Sequence, residues 1–233
     1  DIRNGKVVRL TQGEAAREKV YSDSPLDMAR KWDSYGVDLI HIVDLDAALE
    51  GHSKNFGIIE KIAGRVRAGI EVGGGMRTAE MIRTAVNCGA RKVVIGTRAL
   101  DSEFLTDMVN VFGDKIVVGI DAKDGTVKTK GWLYDTRMKA ADLARNIEKT
   151  GAETINYTDI SRDGTLEGPN FKGVMDMLEA TRMKVVFGGG ISKIDDIKKL
   201  KALEKLGLDG VIVGKALYEG SIELGEAIRL CKV

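Results

Sequence analysis

Two aspartates, Asp1 and Asp121, occupy matching places in two similar stretches of this sequence. Asp1 opens the segment Asp-Ile-Arg-Asn-Gly-Lys-Val, and Asp121 opens the segment Asp-Ala-Lys-Asp-Gly-Thr-Val. Two carboxyl groups on opposite sides of a site can divide proton abstraction and proton donation between them. Their environments must then move their pKa values apart, so that one starts charged and the other protonated. One such aspartate alone would indicate a turn, but the matched pair predicts acid–base catalysis of the kind that an isomerisation needs.

Two glycine clusters, at residues 73–75 and 188–190, predict anion-binding loops. Each cluster leads into a predicted helix, and each is followed one strand later by a second glycine turn. Glycine lets backbone N–H groups approach an anion closely, and a helix N-terminus adds a favourable dipole. Two neighbouring loops could therefore hold one phosphate in each half of the chain. The predicted phosphate-binding residues in these loops are Gly74, Gly75, Gly96, Thr97, Gly189, Gly190, Ser192, Gly214 and Lys215.

The other chemically capable residues give weaker signals. Trp132 falls in a predicted loop and is interpreted as a lid that stacks on a planar ring of the ligand. Asp44 and Asp159 form a further matched pair, for which catalysis and the holding of loops fit the sequence equally well. The two histidines, His41 in a predicted strand and His52 in a polar loop, do not make a metal site.

Composition limits the class of protein. The chain of 233 residues carries 36 basic and 35 acidic side chains and a formal net charge of +1, which predicts no nucleic-acid or membrane partner. Its two cysteines, Cys88 and Cys231, lie far apart and are predicted to be reduced thiols. No apolar run approaches the roughly 20 residues that span a bilayer, and no signal peptide precedes the first residue. These features predict a soluble cytoplasmic protein. We also expect a monomer that acts on a small molecule.

Alternating strands and helices must position these residues. Short β-branched runs of continuous apolar character predict buried parallel strands. They are residues 39–43, 69–72, 92–95, 116–120, 154–157, 184–187 and 210–213. Helical periodicity is found at residues 25–35, 78–88, 102–111, 138–149, 171–180, 195–206 and 221–230. The alternation predicts an α/β fold with a parallel sheet, and most of the candidate residues follow the carboxyl ends of its strands.

An internal repeat favours a closed barrel over an open, doubly wound sheet. Five landmarks recur in one order at offsets of 120, 115, 117, 115 and 118 residues, among them Gly36-Val-Asp-Leu-Ile-His-Ile-Val-Asp44 and Gly151-Ala-Glu-Thr-Ile-Asn-Tyr-Thr-Asp159. A four-plus-four barrel predicts two equal halves, at approximately residues 1–115 and 116–233 of a single domain. Such a TIM (β/α)8 barrel needs eight strands and seven are found, so we expect its first strand to lie upstream of Asp1.

Six motifs spread over the whole chain carry a family resemblance. They are Asp1-Ile-Arg-Asn-Gly-Lys-Val-Val-Arg-Leu10, Val20-Tyr-Ser22, His41-Ile-Val-Asp-Leu-Asp46, Gly73-Gly-Gly-Met-Arg77, Lys130-Gly-Trp132 and Thr158-Asp-Ile-Ser-Arg-Asp-Gly-Thr-Leu166. The last motif is the most specific. With them the chain resembles the phosphoribosylformimino-5-aminoimidazole carboxamide ribotide isomerases of histidine biosynthesis, the family often called HisA.

The resemblance implies a TIM barrel that catalyses an Amadori rearrangement, from an aminoaldose to an aminoketose, on a substrate with a phosphate at each end. By position, Asp1 looks like the general base that takes the C2 proton, and Asp121 looks like the general acid that opens the ribose ring. Thr158 aligns with a threonine that assists the acid. Three further positions, Arg77, Trp132 and Asp163, align with substrate contacts. The resemblance implies no cofactor and no metal.

Three other functions remain open on the sequence alone. The sister barrel that forms imidazoleglycerol phosphate with a glutaminase partner shares both aspartates and both pairs of glycine loops, although Thr158-Asp159-Ile160-Ser161 and the Trp132 motif favour the isomerase. A bifunctional isomerase would also accept phosphoribosyl anthranilate, with Arg137 binding its carboxylate. A barrel without catalysis would bind the sugar phosphate and release it unchanged.

Overall fold

Strands and helices alternate along the computed structural model, which describes residues 1–11, 14–129, 131–132 and 134–232. The strands are β1 (Ile2–Arg3), β2 (Lys6–Thr11), β3 (Glu14–Ser22), β4 (Leu39–Val43), β5 (Gly69–Gly73), β6 (Lys92–Ile95), β7 (Ile116–Lys123), β8 (Thr126–Thr129), β9 (Tyr134–Lys139), β10 (Thr154–Asp159), β11 (Lys184–Gly188) and β12 (Leu208–Ile212). The α-helices are α1 (Pro25–Asp33), α2 (Leu45–Glu50), α3 (Phe56–Ala63), α4 (Ala79–Asn87), α5 (Ser102–Phe112), α6 (Ala140–Glu148), α7 (Phe171–Ala180), α8 (Ile194–Lys201), α9 (Lys215–Tyr218) and α10 (Leu224–Cys231). Short 3-10 turns lie at Thr97–Leu100, Gly113–Lys115 and Glu204–Leu206.

Nine of the described strands form one curled sheet. Seven of them lie side by side in the order β12-β11-β10-β7-β6-β5-β4, and β8 and β9 extend the sheet as an antiparallel hairpin from β7. Each neighbouring pair in this order is parallel. The strands are buried by helices on the outside and by one another on the inside, and Val93, Val118, Ile155 and Phe187 are fully buried. The α/β fold with the architecture of a TIM barrel is therefore confirmed. The expected eighth strand upstream of Asp1 stays a prediction.

Six of the ten described α-helices begin at a residue whose side chain caps the helix. The Ser24 hydroxyl accepts a hydrogen bond from the Asp27 backbone N–H at the start of α1. Thr78 and Asn170 cap α4 and α7 in the same way. No helix among the described residues is long and apolar enough to cross a membrane. Each of these caps helps to fix where its helix starts, and therefore where the preceding loop must turn.

Three regions differ from the sequence prediction. Strands β1, β2 and β3, within residues 2–11 and 14–22, form an antiparallel sheet beside the barrel sheet, where no strand was predicted. Two short helices, α2 and α3, lie between residues 45 and 63, where no helix was predicted. The helix predicted from residue 138 begins at residue 140, because the preceding residues pair with β8 as strand β9. In these regions the structure depends on strand pairing or on capping contacts. The periodicity of apolar residues along the sequence does not indicate such contacts.

Candidate active site

A cavity of about 290 Å³ opens where the parallel strands end. It collects residues that the sequence placed at the carboxyl ends of six of the predicted strands, which is where barrels of this kind carry their reacting groups. Of the fifteen residues predicted from sequence, fourteen line the cavity. They are Asp1, Gly74, Gly75, Arg77, Gly96, Thr97, Asp121, Trp132, Thr158, Asp163, Gly189, Gly190, Gly214 and Lys215.

Ser192 is the predicted residue that the structure does not place on the cavity. Its backbone N–H and its hydroxyl both donate to Asp196 Oδ2, at 2.9 Å each. These contacts hold the first turn of α8 and use the serine as a capping partner. Its role in phosphate binding therefore remains a prediction, without a direct contact to support it.

Asp121 lies in β7 at the floor of the cavity, beside Thr158 of β10. The two residues are paired in the parallel register of these strands, and the Thr158 side chain hydrogen-bonds to the carboxyl group. Trp132 Nε1 donates to Asp121 Oδ2 at 2.8 Å. Burial raises the pKa of Asp121, although the bonds from Trp132 and Thr158 oppose the rise. This carboxyl group is therefore biased towards the protonated form that a general acid needs.

Asp1 has a different environment, because a cation faces it. Arg9 Nη1 lies 3.1 Å from Asp1 Oδ2, and Arg9 Nη2 lies 3.3 Å from Asp163 Oδ1. A guanidinium at this distance favours the ionised form of a carboxylate, which is the form that a general base needs. Ile2 forms a parallel bridge to Asp44 at the end of β4, and this bridge holds Asp1 at the mouth of the barrel.

Arg9 is a site residue that sequence reasoning missed. It lies on β2, a strand that was not predicted, and its partner Asp163 is 154 residues away. The sequence did offer one signal, since Arg9 belongs to the motif that begins at Asp1. No feature of that motif indicated that its side chain faces the carboxylates of Asp1 and Asp163. Arg9 gives the two candidate catalytic aspartates, Asp1 and Asp121, different environments, because it pairs with Asp1 and not with Asp121.

The two glycine clusters have matching geometry. A Cβ atom on Gly74 would lie 2.3 Å from the carbonyl oxygen of Asp44, and one on Gly189 would lie 2.5 Å from the carbonyl oxygen of Asp159. Gly74 and Gly189 have φ angles of +91° and +101°, which side chains rarely adopt. In each half of the protein, the glycine turn therefore packs directly on backbone at the carboxyl end of a neighbouring strand, β4 for Gly74 and β10 for Gly189.

We expect Gly189→Ala to lower the free energy of unfolding by at least about 2 kcal/mol, because a Cβ atom would meet backbone that cannot move aside. Urea unfolding would measure the change. Gly57→Ala is the matched control, since a Cβ atom there meets nothing within 4 Å and the residue lies in helix α3. The expectation for this control is equal or slightly higher stability. Equal losses in both variants would contradict the packing argument.

The second glycine turn of each pair also repeats its geometry. Gly96, with φ −95° and ψ −100°, precedes the 3-10 turn Thr97–Leu100. Gly214, with φ −110° and ψ −101°, precedes helix α9. Both glycines line the cavity next to the cluster of the neighbouring strand. The structure thus contains two equivalent pairs of loops, one in each half, whose backbone could surround an anion.

Two cations sit at the mouth beside these loops. Arg77 Nη2 donates to the carbonyl oxygen of Ala48 at 2.7 Å, and Lys215 Nζ donates to the carbonyl oxygen of Gly164 at 2.8 Å. Each cation is therefore held by a neutral backbone oxygen in one of the loops around the cavity. Neither contact neutralises the positive charge, so both cations can still attract an anionic ligand.

The matched aspartates Asp44 and Asp159 hold loops. Both side chains are buried, and each accepts a hydrogen bond of 2.7 Å from an asparagine Nδ2, from Asn55 and Asn170 respectively. Asp44 also caps helix α2 through the Ala47 backbone N–H. They do not line the cavity, so the structure favours the loop-holding alternative that the sequence left open.

The smaller predictions have these outcomes. His41 lies in β4 as expected, and its Nδ1 hydrogen-bonds to the buried Glu71 at 2.6 Å while the ring lines the cavity. Trp132 follows the β8 strand at the tip of a β-hairpin, with a φ of +70°. Lys130, part of the same motif, lies outside the described residues. Cys88 and Cys231 are free thiols.

Comparison with known proteins decides the family. A sequence model of the family described as "Histidine biosynthesis protein" matches residues 1–223. The chain belongs to this family. The membership confirms the resemblance that the motifs carried, and it is consistent with the barrel architecture of the parallel sheet.

Curated relatives of this histidine biosynthesis protein family cover nearly all of the chain. A protein of Acetivibrio thermocellus is 44% identical over 233 residues, which span 100% of this chain and 97% of the relative. A protein of Desulfatibacillum aliphaticivorans is 46% identical over 229 residues, which span 98% of this chain and 92% of the relative. Both are named 1-(5-phosphoribosyl)-5-((5-phosphoribosylamino)methylideneamino) imidazole-4-carboxamide isomerase.

Proposed function

We propose that this protein is the aldose–ketose isomerase of histidine biosynthesis that converts ProFAR into PRFAR by an Amadori rearrangement. The observation that carries the proposal is the unlike pair of carboxyl groups in one cavity. Asp1 faces a guanidinium, whereas burial raises the pKa of Asp121. An isomerase that moves a proton needs one charged and one protonated group at the start of its cycle. The names of the relatives support the same reaction.

The two steps of the reaction use the two aspartates in turn. Asp121 donates its proton to the ring oxygen of the aminoaldose, the bond between C1 and that oxygen breaks, and a protonated imine forms. Asp1 then takes the proton from C2, and the electron pair of that C–H bond forms the double bond of an enolamine. Tautomerisation of the enolamine gives the aminoketose. Thr158 and Trp132 hold the Asp121 carboxylate after it has lost its proton, because both donate hydrogen bonds to it.

The two pairs of glycine loops bind the two phosphates of the substrate in this proposal. Gly74, Gly75, Gly96 and Thr97 form one phosphate site, and Gly189, Gly190, Gly214 and Lys215 form the other. Their matching backbone geometry supports the assignment, because a substrate with a phosphate at each end requires two similar sites across one cavity. Arg77 and Asp163 contact the part of the substrate that lies between the two phosphate sites. We propose that the protein acts as a cytoplasmic monomer.

A direct assay tests the proposal. Purified protein is incubated with ProFAR in the absence of ammonia, and the PRFAR formed is separated by chromatography and quantified. We expect turnover without ammonia. No turnover of ProFAR would refute the isomerase, and product formation from PRFAR that requires ammonia would show the sister cyclase instead. Phosphoribosyl anthranilate is the second substrate in the same assay, and its turnover would identify a bifunctional isomerase.

A further inference from the structure

The hairpin of β2 and β3, here called the Arg9 hairpin, is attached to both ends of helix α9. At the start of α9, the Arg9 guanidinium carbon lies 3.1 Å from the place of a Cβ atom on Gly214. At the end of α9, Lys19 Nζ and Tyr21 Oη both donate to Glu219 Oε1, at 2.7 and 2.5 Å. The hairpin and the loop that begins at Gly214 are therefore joined in one unit.

Aromatic contacts strengthen the attachment at the end of α9. The rings of Tyr21 and Tyr218 have centroids 4.6 Å apart, and Trp32 meets Tyr218 edge-on at 5.5 Å. Burial raises the pKa of Tyr218, whose hydroxyl hydrogen-bonds with Trp32, and the charge of Arg9 acts on the same hydroxyl. Tyr218 thus contacts Tyr21 of the hairpin through its ring and lies close enough to Arg9 to feel its charge.

The two strands of the Arg9 hairpin are held in different ways. Both belong to the separate sheet β1-β2-β3, and a small antiparallel sheet of this kind gains little stability on its own. Strand β2 is anchored by burial of Val7, Val8 and Leu10. Val20 on β3 is 48% exposed, so the outer strand is not held in that way. The contacts of β3 with α9 therefore attach the outer strand of the hairpin beside the cavity.

We propose that Tyr21 and Glu219 are positioning residues that hold the Arg9 hairpin on α9, and so keep Arg9 between Asp1 and the loop of Gly214. This inference rests on the proposed function, because it concerns the same base and the same phosphate site. It explains the motif Val20-Tyr-Ser22, whose residues do not line the cavity. Arg9 is then in place before the substrate arrives, and binding need not supply the free energy to order the hairpin.

Loss of the attachment has a specific kinetic signature. If the hairpin is correctly placed in only a fraction of the molecules, the apparent dissociation constant rises by the inverse of that fraction. Once the substrate is bound, it holds the hairpin in place itself, and chemistry proceeds as before. We therefore expect KM for ProFAR to rise about 5–10-fold in Tyr21→Phe and in Glu219→Gln, while kcat changes by less than about threefold.

The test compares these variants, and their double mutant, with Glu18→Gln. Glu18 lies on the same strand and pairs with Arg3 at 2.8 Å, but this ion pair stays within the sheet β1-β2-β3. The control therefore removes a similar contact without releasing α9, and its KM is expected to stay within about twofold of the wild-type value. If the effects of the two single substitutions on KM do not add up in the double mutant, this result would support the direct contact of Tyr21 with Glu219.

Fluorescence separates this inference from the proposed function. In a Trp132→Phe background Trp32 is the remaining tryptophan, since the chain has two, and acrylamide quenching without substrate reports its exposure. We expect greater quenching in Tyr21→Phe and Glu219→Gln than in Glu18→Gln. Unchanged KM and unchanged quenching would overturn the positioning role. A wild-type protein inactive on ProFAR would refute the proposed function alone, because quenching would still decide whether Tyr21 and Glu219 hold the hairpin.

Discussion

Asp121→Asn is expected to lower kcat for ProFAR by a factor of about 10²–10⁴, the usual loss for a removed general acid. Asparagine keeps the shape of the side chain and can still accept the hydrogen bond from Trp132, but it has no proton to transfer to the ring oxygen. Steady-state kinetics with ProFAR would measure the loss. Asp124→Asn is the matched control: Asp124 is exposed in the turn that follows β7, and asparagine tolerates its φ of +51°. Near-full activity of Asp121→Asn would contradict the role of the acid.

The pH dependence gives the same prediction a second measurement. Burial raises the pKa of Asp121, and the active form is the protonated one, so the alkaline limb of kcat/KM should lie above the range of an ordinary aspartate. A carboxyl group with a raised pKa in the folded state stabilises the fold at pH values below its unfolded pKa, and this contribution is lost as the pH rises through the folded pKa. At neutral pH the asparagine variant should therefore unfold in urea at an equal or higher midpoint. Its loss of activity would then not reflect unfolding.

Asp1→Asn is expected to lower kcat by a similar factor, about 10²–10⁴, because an amide cannot take the proton from C2. The amide also leaves Arg9 without its charged partner on that side. Kinetics with ProFAR deuterated at C2 would show whether proton abstraction has become slower. Asparagine has nearly the same size and shape as aspartate, and Asp163 still pairs with Arg9, so the variant should still fold.

Asp163→Asn is the control that separates catalysis from the holding of Arg9. Asp163 pairs with the other nitrogen of the same guanidinium, so its replacement disturbs Arg9 in a comparable way. We expect this variant to raise KM and to keep most of kcat, since the proposal gives Asp163 a substrate contact and no proton transfer. Equal losses of kcat in both variants would show that Asp1 serves only to hold Arg9.

The sequence by itself determined the parallel strands, the candidate acids and the glycine loops. These features depend on local patterns: apolar runs mark buried strands, and the acids and glycines follow them at the strand ends. The internal repeat then gave the architecture, because only a barrel built from two halves predicts matching landmarks such as Asp1 and Asp121. Residues at the carboxyl ends of the strands had to meet at one face, and fourteen of the fifteen candidates do so.

Only the tertiary structure decided which partner each polar side chain meets. Arg9 reaches Asp163 across 154 residues, and Ser192 turns away from the cavity towards Asp196. No local pattern encodes such choices, because hydrogen bonds and burial depend on which segments the fold brings together. The same reason explains why the two matched aspartates differ: their sequence positions are equivalent, but Arg9 approaches Asp1, whereas Trp132 and Thr158 enclose Asp121.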